Sequence, residues 1–121
     1  MTTTGSAVEV AETYVRAWLG GNVDKAMGLI ADDIVCQAPS GLVQGAEAYR
    51  RFLAPFAGMV ISGELLGVYG DDNNAAIVYT VDVPFAKDFH GAEYLTVEDG
   101  RITRAISVFD RAASMQAGGQ A

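Results

Sequence analysis

The sequence has one cysteine, one histidine, three prolines and no long hydrophobic run, and each shortage removes a class of explanation. A lone Cys36 closes no intramolecular disulfide, and one Cys with one His falls short of the clustered ligands that a structural zinc site needs. No metal site is expected. Basic residues are also scarce: eight Lys and Arg stand against fifteen Asp and Glu, a net charge of −7, and no basic cluster is longer than Arg50-Arg51. Nucleic acid and anionic membranes are therefore poor partners. The longest apolar run, FLAPFAGMVI at residues 52–61, is far shorter than the roughly 20 residues that span a bilayer. The amino-terminal MTTTGSAVEVAE has neither a basic start nor a long apolar stretch, so no secretory signal and a cytoplasmic location are expected.

What the chain does have is apolar material. Half of its 121 residues are hydrophobic, enough for a real core, and one domain over residues 1–121 is expected, with frayed ends at 1–5 and 116–121. Between residues 6 and 19, Ala7, Val8, Ala11, Tyr14, Val15, Trp18 and Leu19 fall at the spacing of one helix face, with Ser6 to cap the start and Gly20-Gly21 to end it. A second helix is expected from Asn22 through Ile30, closed by Asp32-Asp33, and a third over residues 46–56, where Pro55 disturbs the last turn. A short strand at 34–38 stops at Pro39-Ser40-Gly41. From Ile61 onward the period becomes alternating, giving strands at 61–69, 75–85, 89–97 and 101–109, with turn-rich segments at 70–74 and 98–100. Three helices followed by a bent antiparallel sheet make an α+β domain, because the helices need an apolar sheet face to cover.

Strand parity picks out the candidate acids. Phe89, Gly91, Glu93, Leu95 and Val97 share a face on which Glu93 is the only charge. An acid among apolar neighbours is costly unless paired or protonated, so Glu93 is either functional or a solvated position near a rim. Asp82 shares a face with Ala76, Val78 and Thr80; it points outward if the more apolar set Ile77, Tyr79, Val81 and Val83 faces the interior, and inward in the other register. His90 has the opposite parity to Glu93 and reads as a surface residue. Cys36, with no neighbouring histidine, reads as a small hydrophobe rather than a nucleophile. Tyr14 sits at the edge of its helix's apolar arc, where a tyrosine serves either packing or chemistry.

The strings AETYVRAWLGGNVDKAMGLIADD, VCQAPSGLVQGAEAYRRFL and EYLTVEDGRITRAISVFD, in that order, resemble the nuclear transport factor 2-like superfamily: SnoaL-like polyketide cyclases, ketosteroid isomerases and limonene-type epoxide hydrolases. The resemblance implies a cone-shaped α+β barrel, three N-terminal helices on a strongly curved, mainly antiparallel sheet around an apolar cavity. In the ketosteroid isomerase branch, a tyrosine seven residues before the glycine that ends the first helix corresponds to Tyr14, and the oxyanion acid corresponds to Glu93. The base of that branch falls on Ala38, in Gln37-Ala38-Pro39, and alanine accepts no proton. The epoxide hydrolase set of Asp, Arg and Asp falls on Ser107, Thr80 and Asp82, which keeps one of three charges. The SnoaL-like cyclases use a carboxylate as acid or base, for which Asp82 and Glu93 are the candidates.

These implications lead to a small enzyme that moves a proton on a hydrophobic carbonyl or polyketide-like compound, by isomerisation or cyclisation and without a cofactor. Tyr14, Glu93 and Asp82 are its expected catalytic residues. Trp18, Ala38, Phe52, Phe56, Tyr79, Val81, Ser107 and Phe109 are its expected pocket. A non-catalytic ligand-binding or dimerisation module is the alternative that the missing base favours, and epoxide hydrolase-like activity a further one. A homodimer is expected, with Val78, Thr80, Tyr94 and Ile106 on its interface.

Overall fold

A computed structural model describes residues 6–109; the expected frayed ends lie outside the described residues. The elements run α1 (Ser6–Leu19), α2 (Val23–Met27), β1 (Ile30–Ala38), β2 (Gly41–Gln44), α3 (Ala46–Met59), β3 (Ser62–Gly70), β4 (Asn74–Val83), β5 (Ala86–Glu98) and β6 (Arg101–Phe109). The strands form one sheet in the order β2-β1-β6-β5-β4-β3, antiparallel throughout except where β1 meets β6. The sheet curves without closing, so β2 and β3 are its edges, and the expected barrel is an open cone.

Helix α1 buries its apolar arc against the sheet's inner face, with Ala7, Ala11, Tyr14 and Val15 fully enclosed. Its start is held differently from expectation. The Ser6 hydroxyl donates to the Asp72 carbonyl and the Ser6 amide to Asp72 Oδ1, which ties the helix to the β3–β4 turn. That turn is organised by Asp71, whose Oδ1 accepts from the amides of Asn73 and Asn74. The β5–β6 hairpin closes on Asp99-Gly100, both at positive φ as a two-residue primed turn requires.

Several boundaries differ from the sequence reading. The second helix stops at Met27: the Gly28 amide donates back to Asp24, and Ile30 pairs with Ile102 as the first residue of β1. A register shift between Ile30 and Val35 leaves Asp32 and Asp33 exposed inside the strand instead of closing a helix. Four mostly exposed residues with no alternation, Gly41–Gln44, form β2 because the Pro39-Ser40 turn folds them back onto β1. Proline at 55 removes one rung without ending α3, which continues to Met59. Strand β4 ends at Val83 rather than residue 85 and β5 begins at Ala86 rather than residue 89, so the turn between them falls earlier in the chain, at residues 84–85.

Candidate active site

Register explains the centre of the site. Glu93 on β5 lies opposite Ser107 on β6 and Ile77 on β4, with its side chain on the face that the helices cover. It is 6% exposed. The Ser107 hydroxyl donates to Glu93 Oε2 at 2.8 Å, and the Tyr49 hydroxyl, carried in from α3, donates to the same oxygen at 3.5 Å. Tyr49 in turn bonds the Tyr14 hydroxyl; because the Tyr49 proton is committed to Glu93, Tyr14 is the donor in that pair. On the other side, Cys36 Sγ stands 3.8 Å from Ser107 Oγ. One buried chain of polar groups thus links α1, α3, β5, β6 and β1.

Burial sets the protonation of this chain. Enclosure pushes the Glu93 carboxyl up to about 7, and the bonds from Ser107 and then Tyr49 hold it from rising further. Burial likewise raises Tyr14 and Tyr49 well above the ordinary phenol value, with the Glu93 charge as the next cause. Burial also pushes the Cys36 thiol up to about 11, against a lowering bond to Ser107, so it stays a thiol at neutral pH.

Glu93 and Ser107 form the polar end of a cavity of about 120 Å³. Its other walls are Trp18 from α1, Phe52, Leu53 and Phe56 from α3, Tyr79 from β4 and Phe109 from β6. Trp18 packs edge-on against Tyr79 at 4.9 Å, and its buried indole N–H has no hydrogen-bond partner among the described residues. Of the residues picked from the sequence, Glu93, Trp18, Phe52, Phe56, Tyr79, Ser107 and Phe109 line this one cavity. Tyr14 does not; it is fully buried and reaches the carboxyl's surroundings through Tyr49. Ala38 and Val81 are buried core residues outside the lining.

Asp82 is a correction. It lies off the cavity, where its carboxylate accepts from the Ser62 hydroxyl at 3.2 Å and the Asp88 amide at 2.9 Å, bracing the β4–β5 turn. The inward register fails because Ile77, Tyr79, Val81 and Val83 take the buried side of β4. His90 is exposed. Tyr49 and Leu53 were missed as site residues. Tyr49 recurs at helical spacing with Ala46, Phe52, Leu53 and Phe56, which puts it on the buried side of its helix, and the only further signal in the sequence is that a buried phenol needs a partner for its hydroxyl. Among the described residues no cluster of three or more His, Cys, Asp or Glu is placed to hold a metal ion.

Residues 11–105 match the family model of the SnoaL-like domain. The chain belongs to the SnoaL-like domain family. A crystal structure of a protein from Kribbella flavida is 38% identical to this SnoaL-like chain over 97% of each, with a TM-score of 0.92. An NTF2-like protein from Cytophaga hutchinsonii is 16% identical over 95% of this chain and 99% of its own, with a TM-score of 0.76. An LEH-like epoxide hydrolase from M. tuberculosis is 19% identical over 92% and 87%, with a TM-score of 0.71. The last two likenesses show the fold, that of the NTF2-like superfamily. No curated protein matches the sequence. In this SnoaL-like chain the three positions implied by the hydrolase resemblance do not converge: Ser107 faces inward, whereas Thr80 and Asp82 alternate to the other side of β4.

Proposed function

We propose that the protein catalyses cofactor-free proton transfer on a hydrophobic carbonyl compound, with Glu93 as the catalytic acid and base. The observation that carries this is one buried carboxyl, held by two hydroxyls on a single oxygen, at the end of an otherwise apolar cavity. With Oε2 engaged by Ser107 and Tyr49, Oε1 is the oxygen left to meet a ligand. As a carboxylate, Oε1 takes a proton from the carbon next to the carbonyl; the C–H pair becomes a C=C bond and the carbonyl pair moves onto oxygen. Where the compound has a C=C bond one carbon further on, returning the proton to the γ-carbon of the dienolate isomerises it; attack of the enolate carbon on a second carbonyl in the same molecule cyclises it, and the alkoxide so formed takes the proton back from Glu93. A group titrating near neutrality suits both halves, since it gives the proton back nearly as readily as it takes it.

Glu93 thereby supplies the base that Ala38 lacks. Tyr49 and Ser107 are positioning residues, and Tyr14 acts at one remove by fixing the direction of the Tyr49 hydroxyl. Asp82, engaged with Ser62 and Asp88 away from the cavity, has no part in this chemistry. The test is exchange of solvent deuterium into the α-carbon of a small ketone: Glu93→Gln should lower the rate about 100-fold or more while leaving ketone binding measurable. Unchanged exchange in a folded Glu93→Gln protein refutes the assignment.

The second reading, a homodimer, has its own observation. On the sheet's outer face Ala76, Tyr94 and Ile106 lie side by side in register, as do Val78, Ala92 and Val108, and Val78, Tyr94, Ile106 and Val108 are exposed. This patch carries none of the chain's fifteen acids. A −7 protein pairs with itself best where like charges are missing.

A further inference from the structure

Pockets for drug-sized ligands run to about 300–1,000 Å³, and a cavity of about 150 Å³ lined by apolar residues accepts benzene. The cavity beside Glu93 holds about 120 Å³ and is partly open to solvent past the half-buried Phe52, Phe56 and Phe109. One six-membered ring, or a short chain of equal bulk, fills such a space. A fused polycycle is taken in whole only by displacing a wall.

The walls differ in how far they can yield. On the sheet side Tyr79 has no room to retreat: its ring covers Gly91 so closely that a Cβ there would stand 2.4 Å from it. Trp18 is fully buried and braced edge-on by Tyr79. Phe56 is the exception. Only half-buried, it bridges from α3 to rings on three other elements, edge-on to Trp18 at 5.7 Å, tilted to Phe89 at 6.1 Å and parallel to Phe109 at 6.3 Å. It follows Pro55, where α3 already lacks a hydrogen bond.

We infer that this is a single-ring site whose size limit is set by Phe56: the ligand is a neutral carbonyl compound of one ring or a short chain, its oxygen-bearing end at Glu93 and its far end against Phe56. The carbonyl rests on the proton-transfer reading above, whereas the size limit rests on the cavity alone. The lining excludes an anion, since it offers no cation to pair one and sets a carboxyl where one would lie, and a simple carbonyl compound carries no positive charge.

Trp18 is the chain's single tryptophan and lines the cavity, so its fluorescence reports occupancy without turnover. The full chain is titrated with cyclohexanone, 2-decalone and androstane-3,17-dione, ketones of increasing ring number whose carbonyls absorb only weakly where indole is excited, and the fluorescence is corrected for that absorption with free tryptophan. Wild type should bind cyclohexanone and bind the other two about tenfold or more weakly. Phe56→Ala should narrow or reverse that order, and Phe56→Leu should shift it less in the same direction if the alanine variant does not fold. Binding of 2-decalone or the steroid as tight as that of cyclohexanone, binding of none of the three, or an unchanged order in a folded Phe56 variant overturns the inference. Deuterium exchange on the same samples separates the two ideas. Size-ordered binding without exchange sinks the proton-transfer reading and leaves the single-ring site standing, and exchange with binding indifferent to size does the reverse.

Discussion

Glu93 carries a cost that is measurable as stability. Its folded value of about 7 lies above the 4.5 of an unhindered glutamate, so between those values the folded chain holds a proton that the unfolded chain has lost. Its contribution is fully present below about pH 4.5 and is lost as pH rises through about 7. At about 1.4 kcal/mol per pKa unit this amounts to roughly 3 kcal/mol. The stability of Glu93→Gln relative to wild type should therefore climb across that window, as denaturant melts at several pH values would show; a flat difference contradicts the burial. This residue was legible in the sequence because strand alternation put one charge among Phe89, Gly91, Leu95 and Val97. Its partner Tyr49 was not, since helical spacing says which side is buried but not which acid, 44 residues away, a buried hydroxyl will meet.

Among the elements, α3 does most to shape the site, supplying Tyr49 to the carboxyl and Phe52, Leu53 and Phe56 to the cavity. Its apolar spacing showed in the sequence as far as Phe56, and Pro55 hid the last turn. The α2–β1 junction was misread for a different reason: Leu29 and Ile30 fit a helical period equally well, and only pairing with Ile102 on the far hairpin makes Ile30 a strand residue. Strand β2 has too little apolar pattern to be seen at all and exists by pairing with β1. Between the helices, the phenol pair gives an ordered expectation. Tyr49→Phe removes a donor from Glu93 Oε2 and should lower exchange about tenfold at neutral pH, moving the pH profile upward with little change in ketone binding. Tyr14→Phe should act in the same direction and less, and a larger loss from Tyr14→Phe than from Tyr49→Phe would contradict a Tyr14 that works through Tyr49.

At the scale of the molecule, the two sheet faces divide the work. The inner face, under α1 and α3, holds the polar chain and the cavity, while the outer face presents the uncharged patch around Tyr94 and Ile106. The cone was legible from element order and family resemblance, whereas its chemistry was not, because the same scaffold hosts different activities and function resides in the side chains it presents. Wild type should sediment at twice the 12.7 kDa chain mass, and Tyr94→Lys should return it to the single-chain value without changing ketone binding. A wild-type protein that sediments as one chain at all concentrations rules out the homodimer.

The central claim concerns one carboxyl, and carbon-13 NMR reads it directly. With the glutamate side-chain carboxyls labelled, a single resonance, identified by its disappearance in Glu93→Gln, should titrate near pH 7. If that resonance instead moves in the ordinary carboxylate range with the other glutamates, Glu93 is not the enclosed acid–base group described here.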